Sequence, residues 1–132
     1  MKKITKSLVI AALLLSFNMF SQSKEVDIRG EWEDKEMNVE YNFSSNTKAS
    51  FSQMGYGMSF SYVVDFSKSP YWIDFTIERA GNKMKMPGLL RIINTDTIWI
   101  EQFAAHSKHP TKFSKDFTSR TRKIHVLVRK KS

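Results

Sequence analysis

The chain has 132 residues, enough for one domain, with 21 Lys and Arg against 13 Asp and Glu, a formal charge of +8. It has no cysteine, which excludes disulfides, thiolate metal sites, thiol chemistry and a lipid anchor attached through cysteine. A basic excess of this kind can serve nucleic acid or acidic lipid. The N-terminal segment, which sets the destination of the chain, argues against nucleic acid as the partner.

Residues 1–21 read as a secretory signal rather than as domain. Lys2, Lys3 and Lys6 precede an apolar run from Leu8 to Leu15, and small and polar residues follow. The run is shorter than the roughly 20 residues a bilayer span needs, so no membrane span is expected in the mature chain. Cleavage is expected near residues 21–23, after Ser21 or Ser23. That leaves about 110 residues carrying about +5, destined for the periplasm or the medium. Part of the remaining charge lies in the closing stretch, at Arg120, Arg122, Lys123, Arg129, Lys130 and Lys131.

Beyond that leader the periodicity is two, the mark of half-buried strands. After GEWE, the stretch MNVEYNF sets Met37, Val39, Tyr41 and Phe43 against Asn38, Glu40 and Asn42. SSN is a turn cluster. TKASFSQM puts Ala49 and Phe51 on one face, and GYG breaks the chain. MSFSYVVDF places Met58, Phe60, Tyr62, Val64 and Phe66 opposite Ser59 and Ser61. SKSP then leads into YWIDFTIE, with Pro70 suited to a strand's first position because it has no N–H to donate. Tyr71, Ile73, Phe75 and Ile77 share one face, and Trp72, Asp74, Thr76 and Glu78 the other. AGNK, residues 80–83, is the next turn. GLLRII and TIWIEQF around NTD predict an antiparallel hairpin. A polar loop runs from Ala104 to Thr121, and KIHVLV closes the chain, with Ile124, Val126 and Val128 alternating against His125 and Leu127.

Seven or eight short strands spaced about ten residues apart predict an all-β domain over residues 28–131, an antiparallel barrel or sandwich. Closure into a barrel would remove the edges that invite aggregation.

Gly30 and Trp32 in GEWE resemble the Gly-x-Trp opening of lipocalin-type barrels. That resemblance implies that Trp32 plugs the closed end and that a basic residue near the last strand, Arg129, packs across it. A second resemblance covers nearly all the mature chain. Pro70, Ile73 and Asp74, then Gly88, Thr95, Asp96, Thr97 and Ile98, then His109, Pro110, Thr111, Lys112 and Phe113, and last HVLVRK, are similar to a family of small secreted bacterial lipocalin-like proteins with no assigned function. It implies a small lipocalin-like barrel and export, and no activity. Asn94 and Thr95 depart from the Gly usual before the Asp, and His109 stands where the family has Arg.

The chemistry-bearing residues are sparse. Asp74 beside Trp72 is a lone carboxylate, and Glu78 on the same strand face is about 13 Å away by strand rise, so the pair reads as scaffold. His106 and His109 lie three apart and His125 is remote, with no cysteine to complete a zinc set, so no metal or cofactor is expected. No nucleophile elbow, Ser-x-x-Lys set or phosphate loop occurs, and no enzyme is expected. Aromatics are abundant: ten Phe, four Tyr and three Trp. Met37, Tyr41, Phe51, Met58, Phe60, Tyr62 and Trp99 either line a pocket for a small apolar ligand at the barrel mouth or fill the interior outright. The sequence therefore predicts an exported, non-catalytic binding module. The alternative is a secreted interaction or inhibitor module that meets an envelope protein through its loops and basic surface.

Overall fold

Alternating apolar and polar residues become nine antiparallel strands in the computed structural model, which describes residues 26–115 and 124–131. The leader, its cleavage region, and the part of the 104–121 loop and basic tail at 116–123 lie outside the described residues. The strands are β1 (Gly30–Asp34), β2 (Val39–Phe43), β3 (Lys48–Gln53), β4 (Tyr56–Asp65), β5 (Tyr71–Arg79), β6 (Asn82–Met86), β7 (Gly88–Asn94), β8 (Thr97–Gln102) and β9 (Ile124–Arg129). Among the described residues there is no helix, and so none long and apolar enough to cross a membrane.

Successive strands pair in the order β4-β3-β2-β1-β9-β8-β7-β5, and β4 pairs β5 to close the ring. The result is a closed eight-stranded antiparallel barrel, which decides between the barrel and the sandwich that strand spacing left open, and it is of the small lipocalin-like kind that the resemblance implied. The ninth strand, β6, was not foreseen. It pairs β5 from Phe75↔Met86 to Arg79↔Asn82, and β7 pairs β5 at Trp72↔Leu89 and Tyr71↔Leu90. The register is one and the same, so β6 and β7 are a single strand interrupted at Pro87. Gly88 is needed there: a Cβ on it would lie 2.5 Å from the Ile73 carbonyl oxygen.

Two turns are tighter than their sequences suggested. Met54–Gly55 and Ala80–Gly81 each link paired strand ends by two residues, all four at positive φ. That is the type I′ geometry whose twist matches a hairpin. Tyr56 and Gly57, expected in a break, are the first residues of β4.

The interior is filled. Trp32, Tyr41, Phe43, Phe60, Tyr62 and Phe75 are buried together with Ile73, Leu90, Ile98, Ile100 and Leu127. Rings meet edge to face at Phe60–Phe75 (4.7 Å), Phe43–Tyr62 (5.0 Å) and Tyr41–Phe51 (5.0 Å), an arrangement aromatic pairs favour. Of the residues expected to line a pocket or fill the barrel, Tyr41, Phe60 and Tyr62 are in this core, and Phe51 packs against it, half-buried.

Trp99 is a correction. It pairs Arg91 and Val126 on the outer face, while its neighbours Ile98 and Ile100 occupy the interior. The last strand is likewise turned over relative to its apolar pattern. Leu127 faces in with His125, whereas Val128 is 49% exposed.

Candidate functional site

The two ends of the barrel are built differently. At one end lie Gly30, the start of β5, the β7–β8 turn and the end of β9. Trp32 is fully buried there, and its indole N–H donates to the Ile28 carbonyl at 2.8 Å. The Arg129 guanidinium stacks over the indole, 4.2 Å from its centroid. It donates to the carbonyls of Arg29 (2.7 Å), Asp27 (3.2 Å) and Thr95 (3.3 Å). Arg129 reaches this position because Gly30, at φ 120°, has no side chain: a Cβ would sit 3.0 Å from the guanidinium. Gly30, Trp32 and Arg129, which the sequence could only associate through a resemblance, are one contact group that seals this end. Arg29 in turn holds the Asp27 carboxyl down at about 2 through a side-chain hydrogen bond.

The other end carries the β1–β2, β3–β4 and β5–β6 turns. All five methionines of the described residues are here: Met37, Met54, Met58, Met84 and Met86. Met58 pairs Phe51, Met84 pairs Ile77 and Met86 pairs Phe75, so these three share the inward face. Met37 and Met86 pack on the core, while Met58 and Met84 stay 38% and 39% exposed. Buried Asp34 ties this end together, accepting the N–H groups of Met37 (3.1 Å) and Val126 (2.9 Å).

Directly inside the methionines is a polar chain that the sequence did not reveal. The Gln102 amide donates to the Tyr41 hydroxyl at 2.7 Å, and that hydroxyl lies 3.0 Å from His125 Nδ1. With Gln102 as its donor, the phenol can pass its own proton to His125 as a hydrogen bond. Burial pushes the Tyr41 phenol far above its ordinary value. His125, expected on the closing strand and remote from the other histidines, also lies against Phe51, with ring centroids 6.0 Å apart.

The outer face of β5, β7 and β8 is covered rather than wet. A strap over residues 103–115 crosses it. Phe103 N–H donates to Pro87 and His106 N–H to Lys85, extending the pairing beyond β8. His109 stacks on Trp72, with ring centroids 3.6 Å apart and planes 13° apart. Its Nε2 lies 2.8 Å from Asp74 Oδ1 and its Nδ1 2.9 Å from the Pro110 carbonyl. Lys85 sits 3.6 Å from the second Asp74 oxygen. Further along, Phe113 meets Trp99 edge on at 6.0 Å, and the backbone N–H and hydroxyl of Ser114 both donate to Glu101. Leu89, Glu101 and Ile124, side by side on neighbouring strands, are fully buried outside the barrel.

Asp74 and Trp72 are thus the anchors of the strap. Asp74 meets the strap on the outer face of β5, at His109, while its neighbour Ile73 points into the barrel core. Pro70, at the foot of β5, and the strap's Phe113 both line one concavity. Although it lies in the polar 104–121 stretch, His109 is largely buried, its side chain being only 15% exposed. His106 is exposed, and the three histidines do not converge, since His125 faces the interior. Among the described residues no group of three metal-type ligands forms.

No protein family, curated protein or solved structure matches the chain.

Proposed function

We propose that this chain is an exported, non-catalytic lipocalin-like barrel that binds a small apolar molecule at its methionine-lined end. The observation that carries this is the partial exposure of Met58 and Met84 on the inward face, beyond an interior already filled with aromatic rings. Apolar side chains left partly open to water on the inward-facing rim of a barrel are what an apolar ligand would cover. Methionine suits the task because its unbranched, polarizable chain adapts to irregular shapes. The polar chain of Gln102, Tyr41 and His125 lies one layer below, so the molecule rests across the mouth and does not enter the barrel.

Export is supported by the charge and apolar order of residues 1–15. Kinship with the small secreted lipocalin-like proteins is supported by the stacking of Arg129 on Trp32 and by the meeting of the Asp74 and His109 segments.

The test is a titration with the uncharged probe N-phenyl-1-naphthylamine, followed through the methionine ε-methyl NMR signals. The Met58, Met84 and Met86 methyls are expected to shift saturably and together. Saturable binding that leaves these methyls unmoved would overturn the reading, as would no binding at all.

A further inference from the structure

We propose that a notch between β5 and β7, at the end of the barrel opposite the methionines, is a binding site for a small amphipathic carboxylate. The notch follows from the strand pairing. β5 meets β7 only at Trp72↔Leu89 and Tyr71↔Leu90. In the same register Pro70 would face Arg91, but β5 begins at Tyr71, and Pro70 has no N–H to give a neighbouring strand. β7 continues to Asn94 paired with β8 alone on that stretch. A concavity of about 490 Å³ is left between the strands and is bordered by the strap.

Its walls divide by chemistry. Pro70, Tyr71, Ile92 and Phe113 supply apolar surface, and Arg91 and Lys112 supply two positive charges. No acidic side chain among the described residues lines it. Among the described residues neither cation forms an ion pair; Arg91 lies against Trp99, its guanidinium carbon 5.5 Å from the ring centroid. The volume is in the range of small-molecule sites. A guanidinium fork and an ammonium beside an apolar trough fit a ligand with one carboxylate head and a short hydrocarbon or aryl body. Burying the body in the trough removes apolar surface from water, and the head meets two cations that form no ion pair among the described residues.

This site and the methionine end report on different nuclei, so the two readings stand or fall separately. Trp99 touches both Arg91 and Phe113, and its indole N–H signal is the readout here. The ¹⁵N-labelled protein is titrated at low salt with decanoate, decanol and acetate. Decanoate is expected to shift the Trp99 signal saturably and to bind about tenfold more tightly than decanol, the size of one charge-assisted hydrogen bond. Acetate is expected to leave the signal in place over the same range. Arg91→Met and Lys112→Met should each narrow the preference for decanoate over decanol, and the double variant, checked for folding by an unchanged Trp32 indole signal, should bring the two to within about twofold of each other, the limit left when the charge term is gone. Equal binding of decanoate and decanol by the unaltered protein would overturn the proposal. So would an acetate shift equal to that of decanoate, decanoate binding that moves only the methionine methyls, or variants that bind as the parent does.

Discussion

The two ends of this barrel solve opposite problems. At the sealed end, Trp32 and Arg129 are fixed by stacking and by directed bonds to the carbonyls of Ile28, Arg29, Asp27 and Thr95. At the other, Met37, Met58, Met84 and Met86 offer flexible apolar surface, part of it open to water. The first end is held by geometry that tolerates little change. The second is held by shape-adapting side chains, and its cost of substitution is correspondingly low. The contrast says where stability is concentrated and where surface is left for a ligand.

Five perturbations break or sharpen that contrast. Trp32→Ala removes the plug and should cost about 3–5 kcal/mol, the range for a buried large aromatic. Urea denaturation with an unchanged m-value would measure it. Arg129→Ala should cost about 2–3 kcal/mol, from lost charge-assisted bonds and lost stacking. Lysine at that position should recover less than half of this, since an ammonium cannot reproduce the fork that serves three carbonyls. Comparing the three melting curves separates charge from geometry.

Tyr41 sits between the two ends. Tyr41→Phe should cost about 1–2 kcal/mol at neutral pH by leaving Gln102 and His125 without their shared partner. The pH dependence has a definite sign. The folded-state phenol is raised well above its ordinary value of 10.0. Its contribution is therefore complete below that value and is lost as pH rises beyond it, because only the unfolded chain ionises. The stability gap between parent and Tyr41→Phe should shrink above about pH 10 in denaturation series at matched salt. A gap constant to pH 11 would show the ring to be less buried than described.

The strap belongs to neither end, and its loss should be felt locally. His109→Ala removes the stack on Trp72 and the bond to Asp74, and should cost about 1–2 kcal/mol. Limited proteolysis should then cut within residues 104–115 while the barrel survives. The smallest effect is expected at the methionine end. Met58→Gln with Met84→Gln should change stability by no more than about 0.5 kcal/mol, since both side chains are partly exposed. It should nevertheless weaken binding of the uncharged naphthylamine probe. A large loss of stability there would mean that the rim is core.

Much of this architecture was legible in the chain. Period-two alternation located the strands because one barrel face is apolar and the other mostly polar. Tyr41, Phe60, Tyr62, Ile73 and Phe75 all point where the alternation puts them. The alternation failed where both faces are apolar. Leu89 and Leu90 are both fully buried, one under the strap and one inside the barrel. Trp99 looked like pocket lining for the same reason. β6 escaped notice because NKMKM is exposed along most of its length and carries few of the β-branched residues that mark strands.

The site was less legible than the fold. No spacing rule joins Asp74 to His109, 35 residues apart, or Tyr41 to Gln102 and His125, 61 and 84 apart. On their own strands these look like an unaccompanied carboxylate, a loop histidine and a core tyrosine.

By itself, then, the sequence determined the strand period, the main breaks and the chain's lack of cysteine chemistry, since all of these depend on residues close together or on composition alone. Only the tertiary structure decided which face of β8 and β9 points inward, that residues 103–115 fold back over the outer wall, and that one end is sealed while the other is rimmed with methionine. Those outcomes depend on barrel closure. Closure sets strands distant in the chain side by side, and an inward position can then hold His125 or Arg129 because its partner, Tyr41 or Trp32, arrives from the other end of the sequence.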